Sequence, residues 1–134
     1  MGLEVVRRLV QEVWNDRRFE LLPELFADPF DHGGRVDTVA GIKQWHADDA
    51  RIWADTRYQV VREVGGADQV AIQWRATARQ VGQWGPVPPS GREISWDGVH
   101  FFTLLDGRIT AMWAMGDVFA KAMQLGAQIV PASS

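Results

Sequence analysis

Cysteine is absent from this chain, which removes disulfide frameworks, thiolate nucleophiles and thiolate metal sites together. No apolar run approaches the roughly 18 residues that a membrane span requires. No block of lysine and arginine interleaves with aromatics, and the net charge is only −3. Nucleic acid and membrane are therefore not expected partners. Glycine-rich phosphate loops of the GxGxxG or GxxxxGK kind are missing, and Ser90 and Ser95 lack a GxSxG setting, so nucleotide binding and serine catalysis are not expected. The three histidines are scattered with no HxxxH pair, so they make no recognisable metal motif. MGLEVVRRLV carries Glu4, Arg7 and Arg8 within an amphipathic pattern. It does not read as a secretion signal, and a cytoplasmic location is the expectation.

What the chain has in excess is tryptophan: seven, beside six phenylalanines and one tyrosine. Such rings fill cores, and they also wall apolar pockets. The length of 134 residues suits a single domain over 1–134. Residues 3–14 predict a helix, with Leu3, Val6, Val10, Val13 and Trp14 at three- and four-residue spacings. A short helical piece over 19–26 precedes a polar, turn-prone stretch containing His32, Gly33 and Gly34. A third helix is predicted over 41–53, with Ile42, Trp45, Ile52 and Trp53 on its apolar face.

Four alternating strands follow. The first two flank Gly65-Gly66 and the last two flank Asp106-Gly107, both hairpin signals. Between the second and third lies VGQWGPVPPSGR, too rich in proline and glycine for a central strand. A last helix follows Asp117. The expected fold is α+β.

Several side chains carry candidate chemistry. Asp117 shares the alternation of Ile109, Ala111, Trp113 and Met115. A regular strand would aim it into an apolar interior, where its carboxyl becomes useful for proton transfer. The alternative is a helix cap. His100 shares a face with Trp96, and His32 sits where it can reach a pocket rim; either can move a proton or steer a carbonyl. Trp45, Trp53, Tyr58, Trp74, Trp96, Trp113 and Met115 are the candidate pocket walls. Arg62 shares the parity of Tyr58, whereas Arg75 and Arg79 lie opposite Trp74.

Four stretches, EVWNDRRFELLPELF, ADTRYQVV, GPVPPSGREISWDGVHFFTLLDGRITAMW and GDVFAKAMQLG, in this order and spacing, resemble the SnoaL-like polyketide cyclases. These belong to the superfamily of ketosteroid isomerase and nuclear transport factor 2. The resemblance implies a cone-shaped barrel, a curved antiparallel sheet wrapped around N-terminal helices with a C-terminal helix, dimeric through its sheet. It implies cofactor-independent aldol ring closure of an apolar polycyclic ketone or ester. Asp117 occupies the place of the family's acid, with His32 and His100 positioned to stabilise oxygen charge. Related hydroxylases, epoxide hydrolases or isomerases, and non-catalytic binding proteins for apolar small molecules are the alternatives.

Overall fold

The computed structural model describes residues 2–133. Helix α1 (Gly2–Arg8) runs into a π-helical segment (Leu9–Asn15). A 3₁₀ turn (Phe19–Leu21) then leads to the single-turn α2 (Leu22–Leu25). Strands β1 (Phe26–His32) and β2 (Arg35–Asp37) form a hairpin, followed by α3 (Val39–Asp49). The long meander is β3 (Trp53–Gly65), β4 (Gln69–Gln80), β5 (Glu93–Leu105) and β6 (Arg108–Gly116). Helix α4 (Val118–Gln124) ends the regular structure.

The four meander strands are those the alternation predicts. The stretch read as a polar turn is instead the β1–β2 hairpin, turning at Gly33 and Gly34, which sit at φ 62° and 90°. Helix α3 stops at Asp49, and Trp53 opens β3 rather than ending the helix. Thr38 caps α3 by accepting the Gly41 N–H at 3.0 Å.

The strands make one six-stranded sheet in the order β2-β1-β6-β5-β4-β3. All neighbours are antiparallel except β1 and β6, which run parallel. The expected barrel is therefore corrected: the sheet is mixed, open and not strongly curled. Closure needs hydrogen bonds between the first and last strands. Here the edges are the three-residue β2 and the long β3, which pair only with β1 and β4.

One face of the sheet is covered. Along β4, Val70, Ile72, Trp74, Ala76, Ala78 and Gln80 are all buried, while Arg75 and Arg79 on the other parity are exposed. Val6, Leu9, Val10, Val13 and Trp14 from the N-terminal helix join the apolar members of this row in a single cluster. Burying such side chains contributes about 1.5–3 kcal/mol each before conformational entropy is subtracted. Gln80, fully buried, is fully hydrogen-bonded. Its Nε2 donates to the Gly82 and Val87 carbonyls, and its Oε1 accepts the Ser90 N–H and O–H. One buried amide thus fixes the course of the proline-rich excursion after β4.

Candidate functional site

The chemistry-bearing side chains gather on the covered face, where the sheet meets α3, α4 and Trp14. Trp74 lies across Gly98, its cross-strand partner on β5. A Cβ on Gly98 would overlap the Trp74 indole, so glycine there admits the ring rather than marking a bulge. The indole then donates its Nε1–H to His100 Nδ1 at 2.8 Å. Indole nitrogen is only a donor, so Nδ1 must be unprotonated and the neutral ring carries its proton on Nε2. His100 also stacks on Phe102, with centroids 5.4 Å apart, and meets Trp14 at 4.8 Å. Burial pushes its pKa down to about 3, and charge on His32 or His46 pushes the same way. It is a neutral donor at ordinary pH.

His32, at the end of β1, is held the other way. Its Nδ1 is 2.8 Å from Asp37 Oδ2 on β2, and a carboxylate there accepts the hydrogen bond from Nδ1–H. The hydrogen bond from His32 holds the Asp37 carboxyl below its ordinary range, against opposition from burial. In the neutral ring the Nε2 lone pair is left as the basic atom. His32 and His100 are thus held in opposite tautomers, close enough for charge on His32 to act on His100. Neither Nε2 has a hydrogen-bond partner among the described residues, and no side-chain polar atom is both sealed from solvent and unpaired. Both nitrogens therefore remain reachable.

Tyr58 contacts Trp14 and Trp74, with centroids at 5.0 and 5.4 Å. Burial, then the nearby Asp49, raises its phenol pKa, so it stays neutral. From α3 come His46 and Asp49. Burial lowers the His46 pKa to about 4 and raises that of the Asp49 carboxyl. All four groups keep part of their surface accessible while burial disfavours their charged forms. That combination describes a recess, not a sealed core.

At its α4 side the recess is walled by Trp53, Trp84 and Trp96, with Trp53 5.7 Å from Trp84 and 5.6 Å from Trp96. The Lys121 ammonium lies over all three rings, at 4.3, 5.0 and 4.2 Å respectively. Trp53, Trp74 and Trp96 are buried wall residues, and Tyr58 is half-buried among them.

Other expectations are corrected. Trp45, Trp113 and Met115 are 53%, 44% and 62% exposed, on the outside of α3 and β6. On β6 the cause is a bulge. Thr103 pairs with Ala111 but Leu104 with Ile109, so Thr110 is an extra residue. Buried parity jumps from Ile109 to Met112, and everything beyond changes face. Asp117 goes with it. The carboxylate is exposed and caps α4, accepting the Ala120 N–H at 2.9 Å. Arg62 is likewise exposed, one residue past a β3 bulge at Val61.

Sequence reasoning missed Asp49, Lys121 and the partner roles of Asp37 and Trp74. A signal for Asp49 existed, since His46 and Asp49 stand four and seven residues after the buried Ile42, on its face of the helix. Trp45 stands only three after it and turns outward. Lys121 carried no comparable signal.

A groove of about 490 Å³ lies elsewhere, between the N-terminal helix and β3. Apart from Tyr58 it shares none of these groups, and an Arg7–Glu63 ion pair lines it. Among the described residues, no three His, Asp or Glu side chains could hold a metal.

The fold is shared with solved structures. A SnoaL-like polyketide cyclase suggested in Jannaschia sp. CCS1 is 25% identical, with a TM-score of 0.82 over 96% of this chain and 93% of that one. IdmH of Streptomyces antibioticus, a suggested polyketide cyclase, is 22% identical, with a TM-score of 0.82 over 95% and 99%. AclR of Streptomyces galilaeus, a suggested hydroxylase, is 19% identical, with a TM-score of 0.81 over 93% and 95%. No curated protein matches. The chain matches the SnoaL-like polyketide cyclase family over residues 4–125, and by that match it belongs to this family.

Proposed function

We propose that the protein catalyses cofactor-independent acid/base ring closure, an intramolecular aldol addition, on an apolar polycyclic ketone or ester. The observation that carries this reading is the pair of histidines held in opposite tautomers, with charge on one acting on the other. His32 Nε2, backed by Asp37, takes the proton from the carbon between two carbonyls. His100 Nε2–H donates to the enolate oxygen. A neutral donor suits this role, because it meets the developing charge without burying one beforehand. The enolate carbon then attacks the electrophilic carbonyl and forms the carbon–carbon bond. The protonated His32 returns its proton to the new alkoxide, so the cycle closes with no net proton change. The Trp walls hold the folded substrate so that both carbons meet, which lowers the entropic barrier.

Asp117 is not aimed at this chemistry, because its carboxylate is exposed and committed to the helix. The competing base is Asp49, whose carboxyl has no hydrogen-bond partner among the described residues and is raised by burial. Epoxide opening by an Asp–Arg–Asp arrangement is disfavoured, since Arg62 lies outside.

The test is hydrogen–deuterium exchange at the acidic carbon of ethyl naphthoylacetate, followed by NMR above the buffer rate. His32→Gln should slow enzyme-dependent exchange by at least about 100-fold, the lower scale of positioned acid/base work. Asp117→Asn should leave it within a few-fold. Loss of exchange in Asp117→Asn with His32→Gln intact would return the acid to α4. Loss in Asp49→Asn alone would make Asp49 the base.

A further inference from the structure

Three tryptophans converge on a single ammonium, that of Lys121, and among the described residues no carboxylate lies within ion-pair distance of it. Its N–H donors have no acceptor among the described residues, and they are not sealed from solvent. Burial lowers its pKa, and Asp49 acts in the opposite direction. A cation over π faces is stabilised, but aromatic rings accept hydrogen bonds poorly, so its donor capacity is largely unspent.

The box is built to stay in place. Trp84 bridges to Val87 by paired backbone hydrogen bonds of 2.9 and 2.8 Å, on the excursion that buried Gln80 holds. On the other side, α4 is clamped onto β5. Gln124 Nε2 donates to the Ser95 carbonyl at 2.6 Å, Gln124 Oε1 accepts the Ser95 N–H at 3.0 Å, and the Asp117 N–H donates to the Asp97 carbonyl at 2.9 Å. The Asp117 carboxylate caps the same helix by accepting the Ala120 N–H.

The local charges do not cancel. Lys121 and Arg17 both act on Asp49, two cations against one carboxylate. Among the described residues Arg17 has no carboxylate partner, and it lies over the Phe19 ring at 4.9 Å. One positive charge is left over, which one oxyanion would balance.

We infer that Lys121 and the Trp53–Trp84–Trp96 box form an anchoring subsite for an oxyanion, a carboxylate, carried by the ligand. The ligand is then an apolar aromatic acid whose rings lie on the tryptophans and whose charged end meets Lys121. This rests on the reading of the recess as a ligand site. The two parts fail separately, because proton exchange reads the histidines and acid preference reads Lys121.

The experiment titrates anthracene carboxylate and anthracene carboxamide against tryptophan fluorescence at low salt and neutral pH. The wild-type protein should bind the acid at least about tenfold more tightly than the amide, the scale of one hydrogen bond to a charged group. Lys121→Met should erase the difference while still binding the amide, and Lys121→Arg should keep it. Asp49→Asn should strengthen acid binding, a readout that survives even if Lys121→Met does not fold. Equal affinity for both probes, a preference that persists in Lys121→Met, or no quenching by either probe would overturn the inference.

Discussion

Mild acid should destabilise this protein well before its carboxylates protonate. His100 and His46 titrate near 3 and 4 in the folded chain because burial disfavours their charge. In the unfolded chain both return to about 6.5. Between those values the unfolded state binds protons that the native state refuses, so stability falls as pH falls. The loss begins below the unfolded value and saturates only below the folded ones. Each histidine costs about 1.4 kcal/mol per pH unit in that window. Going from about pH 7 to about pH 5 removes about 2 kcal/mol per histidine, or about 4 kcal/mol for the two.

Asp49 acts with the opposite sign, since its folded pKa is raised, but its effect is felt as pH approaches the carboxylate range. Asp37, Asp97 and Glu63 are lowered by their hydrogen-bond partners, and their contribution is lost only below the ordinary carboxylate range. With 134 residues and about 2.1 cal/mol/K of unfolding entropy per residue, the histidine term corresponds to a Tm fall on the order of 10 °C. Scanning calorimetry at about pH 7, 6 and 5 reads it. His46→Leu should halve the drop. An unchanged Tm across that range, or a His46→Leu variant as acid-sensitive as the parent, would refute the burial argument.

Gly98→Ala should destabilise by about 1–3 kcal/mol in urea unfolding, the cost of overpacking, because its methyl group meets the Trp74 indole. It should also release the Trp74–His100 hydrogen bond, seen as a changed His100 ring ¹⁵N shift; an unperturbed ring would break the link between that glycine and the tautomer. Phe101, Trp113 and Met115 form an exposed apolar patch on the outer face of β5 and β6, with the Phe101 and Trp113 rings 5.8 Å apart. A homodimer covering this patch is expected in sedimentation velocity, and Trp113→Lys should dissociate it. A wild-type monomer at high micromolar concentration would count against the dimer.

The meander was legible in the sequence because strand alternation and two hairpin signals say the same thing. The β1–β2 hairpin was not, because Asp28, Pro29, Asp31 and paired glycines mask two short strands as a turn. One is an edge of only three residues and the other is tied to β6 by parallel pairing, a contact no local pattern announces. Openness was equally hidden, since closure depends on whether the outermost strands meet.

The fate of Asp117 shows where local reading ends. Alternation aims a side chain only until the first bulge. One extra residue at Thr110 turned Trp113, Met115 and Asp117 outward together, so three side chains expected to face inward face outward from a single cause. The same slip did not touch β4 and β5, which pair without a break from Gln69–Thr103 to Arg79–Glu93. Trp74, Trp96 and His100 stand on that unbroken pair, and all three point where alternation put them. Sequence parity is therefore trustworthy here in proportion to the regularity of the ladder beneath it. The bulge also sets the outer patch: with Thr110 inserted, Trp113 and Phe101 come to share the outer face. Deleting Thr110 should swap the faces again, burying Trp113 and aiming Asp117 inward at the expense of both the patch and the α4 cap.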